Sequence, residues 1–415
     1  MAAVPTPWSD EYARSVAAGF DLNELPTGFI DDPYPYYHAL RRFEPLHQNP
    51  DGSYFLTRYV DLASAYRDPQ KFISDKKQAF KPKFGDTSLY HHHTTSLVFS
   101  DPPYHTRVRK ILMGALHPKA IRAMEPGLVE LVNVLLDRAE EKGEFDLIPD
   151  FASAIPVEVI GNLLRVPREE REPLRDWSLA ILGALEPVNS AQELERGNRA
   201  VDDFCEYLRD LIAQRRQNLA DDKTDVLSQL IVGDSNEEKF TEQELLHNCI
   251  FLLNAGHETT TNLIGNGIYA LLRHPKQRAL LLADPELAKG VVEETLRYES
   301  SNQLGNREVA EVAEIGGVQL PVGTQLHLCI GAANRDPAQF PDPDRFDIKR
   351  AVTNHFAFAT GIHMCAGMAL ARLEGRIAIH HLFTRLPKLE LNGTPMLRQR
   401  ARFRGFDRMP VRITR

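Results

Sequence analysis

Apolar side chains recur every three to four residues over most of the chain between His105 and about residue 300, which is the spacing of helices with one buried face. The period is clear over residues 121–142, 151–164 and 191–217. The longest run begins at Thr241, where Thr241 and Glu244 have capping-box spacing, so that hydroxyl and carboxylate each take an orphan backbone amide. It runs to Arg273, where His274-Pro275 stops it. At 1.5 Å per residue this is roughly 50 Å of helix. It is rich in large apolar residues (Ile250, Phe251, Leu252, Leu253, Ile264, Ile268), so it should cross the middle of the molecule.

Elsewhere the pattern changes. Residues 53–57 read as a short strand and 59–66 as a short helix. Residues 74–97 are polar and aromatic without a period, and predict a long loop of the kind that forms lids or binding loops. Residues 309–318 and 324–328 predict strands, with Gly316-Gly317 and Pro321-Val322-Gly323 as turns. Residues 334–347, rich in proline and aspartate, predict an irregular ordered loop. Residues 366–383 predict a helix, and 403–413 a terminal hairpin. There is no repeat and no low-complexity linker. The expectation is one domain over residues 1–415, mainly α with minor β.

Composition narrows the class. With 43% hydrophobic and 26% charged residues the chain is an ordinary globular protein, large enough to bury a cofactor. A net charge of -8 argues against nucleic acid or an anionic membrane as the general partner. The first residues lack a basic, then apolar, signal pattern, and no run of 18 apolar residues predicts a membrane anchor. Four cysteines in 415 residues make no disulfide framework. A cytoplasmic location is expected, and a monomer.

The candidate chemistry starts at Phe358-Ala359-Thr360-Gly361-Ile362-His363-Met364-Cys365-Ala366-Gly367. A loop of small residues delivers one cysteine to a helix N-terminus. Small residues let a flat macrocycle approach the backbone. The helix terminus and loop amides stabilise a thiolate and tune a bound metal. An ordinary buried cysteine fits the same loop. A zinc site with His363 and Cys365 lacks a second close ligand pair.

The segment resembles the haem-binding loop of the cytochrome P-450 family, F-x-x-G-x-H/R-x-C-x-G, through Phe358, Gly361, His363, Cys365 and Gly367. The resemblance implies a long helix over haem b, small sheets, and Cys365 as the axial thiolate to the iron. His363 would then meet a haem propionate and Phe358 would pack near the sulfur. Ala359 departs from the glycine common there in bacterial members.

Three further segments extend the resemblance. Glu294-Thr295-Leu296-Arg297, alone, is an ordinary surface i, i+3 pair. With Arg345 in Pro343-Asp344-Arg345-Phe346 it matches the family's E-x-x-R and P-x-R-F elements, implying a buried Glu294–Arg297–Arg345 network. Ala255-Gly256-His257-Glu258-Thr259 places a glycine and threonines inside a helix, a local conflict that often marks a site and otherwise reads as a kinked core helix. It matches A/G-G-x-D/E-T. By resemblance Ala255 and Gly256 open a groove for dioxygen, Glu258 and Thr259 relay protons, and His257 faces away. His105 and Arg109, four apart on one helix, and Arg307 would hold propionates.

The family's activity would be insertion of one oxygen atom from O2 into a small or mid-sized organic substrate. No dinucleotide fingerprint occurs, so electrons come from another protein. By resemblance that is a ferredoxin with its reductase, with Arg107, Lys110, Arg372 and Arg376 as docking cations. Pocket positions by motif alignment are Val98, Phe99, Phe251, Asn254, Asn302, Gln303, Leu304 and Phe406; the amides suggest a substrate with a hydrogen-bonding group. His91-His92-His93 reads as part of a polar roof loop rather than a metal site. A peroxide-driven enzyme and a haem-binding sensor are the rival readings, and neither needs Glu258-Thr259.

Overall fold

The computed structural model describes residues 8–217, 225–233, 239–351 and 354–414. Its axis is the helix Glu242–Arg273, opened by the capping box of Thr241 and Glu244 and ended at His274. Around it pack the helices Ala154–Leu163, Glu172–Gly183, Ala191–Gln217, Ala288–Tyr298 and Met368–Arg385. One large apolar cluster runs through all of them. No described helix is long and apolar enough to cross a membrane.

Beside the helices lies a five-stranded sheet in the order Leu46–Gln48, Tyr54–Leu56, Gln325–Cys329, Leu304–Val309, Phe72–Ile73. Tyr54–Leu56 runs parallel to Gln325–Cys329, with Phe55 opposite His327, and the other pairs are antiparallel. Three smaller sheets complete a mainly helical protein with minor β.

Several elements differ from the sequence reading. Residues 74–97 contain two helices, Lys77–Phe84 and Ser88–Thr95, rather than a loop. Their buried positions include Phe84, Leu89, His92 and His93. Histidines occupy core positions there, which hides the helical period. The run 121–142 is broken at Met124 into Pro118–Ala123 and Glu125–Lys142, with Pro126 in the new first turn, where its missing amide costs nothing. Residues 309–318 divide into the end of Leu304–Val309 and the hairpin Ala313–Ile315 with Val318–Leu320, turning through Gly316 and Gly317 at φ 58° and 85°. The terminal hairpin does not form. Phe406–Arg408 pairs with Met396–Leu397, and Pro410–Ile413 lies between Glu144–Asp146 and Leu389–Leu391.

Candidate active site

The cysteine loop is shaped before the helix Met368–Arg385 begins. The Cys365 amide donates to the Phe358 carbonyl at 2.9 Å, closing the loop on itself. Gly361 sits at φ 72°, and a Cβ there would lie 2.8 Å from the Tyr66 carbonyl oxygen, so only glycine fits. A Cβ on Gly367 would meet nothing within 4 Å. Burial pushes the Cys365 thiol up, while the Gly367 and Met368 amides and the Arg109 and Arg372 guanidiniums pull it down. The helix-terminus effect expected from sequence is thus outweighed by desolvation.

Four basic side chains surround this loop. The rings of His105 and His363 meet at a tilt of 53° with centroids 4.3 Å apart. Nε2 of each is buried without a hydrogen-bond partner, although His363 Nε2 lies 3.5 Å from Asp101 Oδ1. Desolvation brings His105 down to about 4, helped by His363, and lowers His363 against the pull of Asp101. Arg109 donates from Nη2 to the Met364 carbonyl at 2.7 Å, and Arg307 from Nη1 to its neighbour Asn306 while lying over the Tyr66 ring. Neither arginine has a carboxylate partner among the described residues. Two buried imidazole nitrogens without partners, beside two guanidiniums without a carboxylate, suit an anion. The two carboxylates of a haem, with its iron at the Cys365 sulfur, fit this set. No cluster of His, Cys, Asp and Glu arranged to hold a bare metal ion occurs among the described residues.

Behind the loop, Glu294 and Arg297 are wholly buried and pair through two bonds of 2.8 Å. Arg297 also donates to the carbonyls of Asn334, Pro343 and Arg345. The side chain of Arg345 is not the third member. It is 64% exposed and pairs with Asp347, so it contributes only its carbonyl. Arg350 takes the place, with Nε 3.2 Å from Glu294 Oε1. The chain turns at Asp342, φ 46°, and brings the later arginine inward.

On the long helix, Ala255 is exposed and Thr259 half-buried. The Thr259 hydroxyl donates to the Ala255 carbonyl at 2.7 Å. Gly256 is packed against a neighbouring helix on its Cβ side. A Cβ there would stand 2.6 Å from Ile160 Cδ1, so the glycine lets the helix Ala154–Leu163 come close. His257 faces away, with Nε2 3.1 Å from Ser153 Oγ. Glu258 is fully buried and held by Arg398 and Arg400. Sequence reasoning missed both arginines. The signal was Arg398, Arg400, Arg402 and Arg404 at alternate positions, a strand-like spacing of cations.

The pocket candidates divide. Val98 is 41% exposed, Phe251 is half-buried, and Phe99 packs on Phe80 and His93. Both amide atoms of Asn254 and the carbonyl oxygen of Asn302 are buried without partners. Gln303, Leu304 and Phe406 belong to the core instead. Gln303 donates to the Ser300 carbonyl and packs on Gly331. Leu304 lies in the cluster of Tyr37 and Phe55. Phe406 packs on Tyr269, roughly 15 Å along the helix from Thr259. His92 and His93 are buried rather than in a loop, with His92 against His247. Of the proposed docking cations, Arg107 pairs with Glu244, Arg372 with Glu293 and Arg376 with Glu125.

A long helix beside a cysteine loop rimmed by two imidazoles and two arginines that lack carboxylate partners is the arrangement of a haem-thiolate enzyme. The family model described as Cytochrome P450 (cytochrome P-450) matches residues 38–172 and 187–400. The chain is 35% identical over 387 residues to the biotin biosynthesis cytochrome P-450 of Bacillus subtilis, covering 92% of this chain and 96% of that one. It is 38% identical over 401 residues to the vitamin D(3) 25-hydroxylase of Pseudonocardia autotrophica, covering 95% and 97%. The crystal structure of P-450 BioI, in complex with acyl carrier protein ligated to hexadec-9Z-enoic acid, superposes with a TM-score of 0.87 at 35% identity, covering 94% of this chain and all of that one. The chain belongs to the cytochrome P-450 family and is a haem-thiolate monooxygenase that uses O2.

Proposed function

We propose that this single-domain, monomeric cytoplasmic enzyme binds haem b through Cys365 and oxidises a mid-sized apolar substrate carrying a hydrogen-bonding group, with electrons from a ferredoxin and its reductase. The observation that carries the reading is the set of His105 and His363, each with a buried Nε2 that has no hydrogen-bond partner, and of Arg109 and Arg307, which have no carboxylate partner among the described residues, around the Cys365 loop. When bound, the haem supplies dioxygen activation and oxygen insertion. The chain's own part is to hold it and to manage protons. His105, Arg109, Arg307 and His363 hold the two carboxylates by charge-assisted hydrogen bonds. Glu294, Arg297 and Arg350 fix the segment ahead of the sulfur. Thr259, its hydroxyl tied to the Ala255 carbonyl, orients a proton on the open side of the long helix. Glu258 is the carboxylate that exchanges protons behind it. A peroxide-driven enzyme has no use for that pair.

Asn254 and Asn302 supply unpaired amide atoms for a substrate oxygen; Gln303, whose Nε2 donates to the Ser300 carbonyl, leaves its Oε1 unpaired within the core. The relative named for vitamin D(3), and the hexadec-9Z-enoic acid in the P-450 BioI complex, support a largely apolar substrate of that size class. The reduced, carbon-monoxide-bound holoprotein is expected to show the red-shifted Soret band of thiolate ligation, and Cys365→Ala to lose it. A Cys365→Ala protein that kept the band would sink the assignment. In a spin-state titration, hydroxylated or keto ligands should bind more tightly than their aliphatic parents. The reverse order would remove the polar part of the substrate reading.

A further inference from the structure

Glu258 is buried inside a cage of donors that are all named in the structure. Arg398 Nη1 donates to Oε1 at 2.7 Å. Arg400 Nη1 donates to Oε1 at 2.6 Å and to Oε2 at 2.7 Å. A carboxylate oxygen has about two lone-pair directions. Oε1 has both filled; Oε2 has one filled and one free.

The two arginines are not equivalent. Arg398 is shared, since its Nε pairs with Asp407 at 2.7 Å and its Nη2 reaches the Phe406 carbonyl. It contacts only the oxygen that is already saturated. Among the described residues, Arg400 is the one donor on Oε2. Its other nitrogen, Nη2, donates at 2.7 Å to the carbonyl of Leu179, on the helix Glu172–Gly183. Arg400 is thereby fixed from a second element, and with it the direction in which the free lone pair of Oε2 points.

We infer that Arg400 is a positioning residue for proton transfer: it presents Glu258 Oε2, by its one free lone pair, as the atom through which protons pass. A proton is taken up and released at Oε2, returning the carboxylate unchanged, so charge and atoms balance over one transfer. Arg398 holds the carboxylate in place and does not select the oxygen. The inference rests on the relay reading of Glu258 and Thr259.

The test compares reductase-driven with peroxide-driven turnover in the holoenzyme. Hydrogen peroxide brings both protons with the oxygen, so only the first route needs the relay. A plant-type ferredoxin with its NADPH reductase is the electron source. The probe is whichever of a set of steroids and C12–C16 fatty acids gives the largest spin-state shift and product. Arg400→Gln is expected to lower the ratio of reductase-driven to peroxide-driven product at least tenfold and to raise the solvent isotope effect on the first route. Arg400→Lys, which keeps the charge but loses the tie to Leu179, should stay within threefold of Arg400→Gln. Arg398→Gln should lower the ratio at least threefold less than Arg400→Gln does. The inference is overturned if Arg400→Gln leaves the ratio within threefold of wild type, if Arg400→Lys restores it, or if Arg398→Gln is equally severe. Glu258→Gln separates the two levels. If it too leaves the ratio unchanged, the relay reading itself fails; if it lowers the ratio while Arg400→Gln does not, only the role of Arg400 falls.

Discussion

At Ala359 the backbone has φ 51° and ψ -161°, a region that L side chains rarely adopt. The methyl group is strained there by about 1–3 kcal/mol. Part of that is offset, because alanine has less freedom than glycine to lose on folding. Ala359→Gly should therefore stabilise the protein by about 1 kcal/mol in urea unfolding. The sequence marked this position as a departure from the family, but only the backbone angle shows that the departure is strained. The buried ion pairs behind the loop make a second residue-level contrast. Removing the Arg297 side chain leaves the wholly buried Glu294 short of its main partner and should cost about 3–5 kcal/mol. Arg345→Ala, at an exposed side chain, should cost less than about 0.5 kcal/mol. Arg350→Ala should fall between them. Thermal unfolding of the three variants orders them; an Arg345→Ala as damaging as Arg350→Ala would contradict the packing described. The motif spacing was enough to pair Glu294 with Arg297, one helical turn apart. It could not choose between Arg345 and Arg350, because a loop's turn decides which arginine points inward.

Elements of this protein approach each other through glycines whose tolerance differs. At Gly256 a Cβ would meet the far methyl of Ile160 at 2.6 Å, a group able to swing aside. At Gly290, in the helix Ala288–Tyr298, it would meet the backbone carbonyl oxygen of Ile348 at 2.1 Å. That oxygen cannot move without the loop that carries Arg350. Gly256→Ala should cost about 1–3 kcal/mol as ordinary overpacking, and Gly290→Ala clearly more. Differential scanning calorimetry of the pair tests the order. The long helix was legible because its limits are local: a capping box at Thr241 and Glu244, and His274-Pro275 at the end. The helices of 74–97 were not, since what makes them helical is burial of His92, His93 and Leu89 against distant elements. Strand partners were also illegible. Phe406–Arg408 and Pro410–Ile413 are adjacent in sequence yet belong to different sheets, and nothing local says so. The same limit misplaced Leu304 and Phe406, whose motif positions do not reveal which face of a strand turns to the core, and Gln303 just before the first of those strands.

Across the whole molecule, buried titratable groups set the pH range of stability. Desolvation lowers His92 well below its usual value, His93 and His257 to about 3, and His247 to about 4. In the unfolded chain these rings take up protons near about 6.5. Between those values the unfolded state binds more protons, so stability is full above about pH 6.5 and is lost as the pH falls toward 4. Glu374 acts in the opposite sense. Burial without a partner for Oε2 raises it to about 8. The unfolded carboxyl ionises near about 4.3, so this group's contribution declines as the pH rises from there through 8. Urea midpoints measured from pH 4 to 9 should describe a dome with its top near about pH 6. Glu374→Gln should flatten the alkaline side and leave the acid side alone. An unchanged alkaline slope would mean that Glu374 is not buried as described.

The sheet that joins Tyr54 to Leu326 also has a consequence for how the protein is made. A ribosome adding roughly 5–20 residues per second needs roughly 15–50 s between those two partners. Throughout that interval the hairpin of Leu46–Gln48 and Tyr54–Leu56 waits with an open edge. The parts of the haem seat arrive in the same staggered order: His105 and Arg109 early, Arg307 late, and the sulfur of Cys365 near the end. A chain halted before residue 365 would carry the long helix and most of its neighbours but not the proposed iron ligand. Taking up the haem is therefore among the last events of biosynthesis, performed on a nearly finished chain.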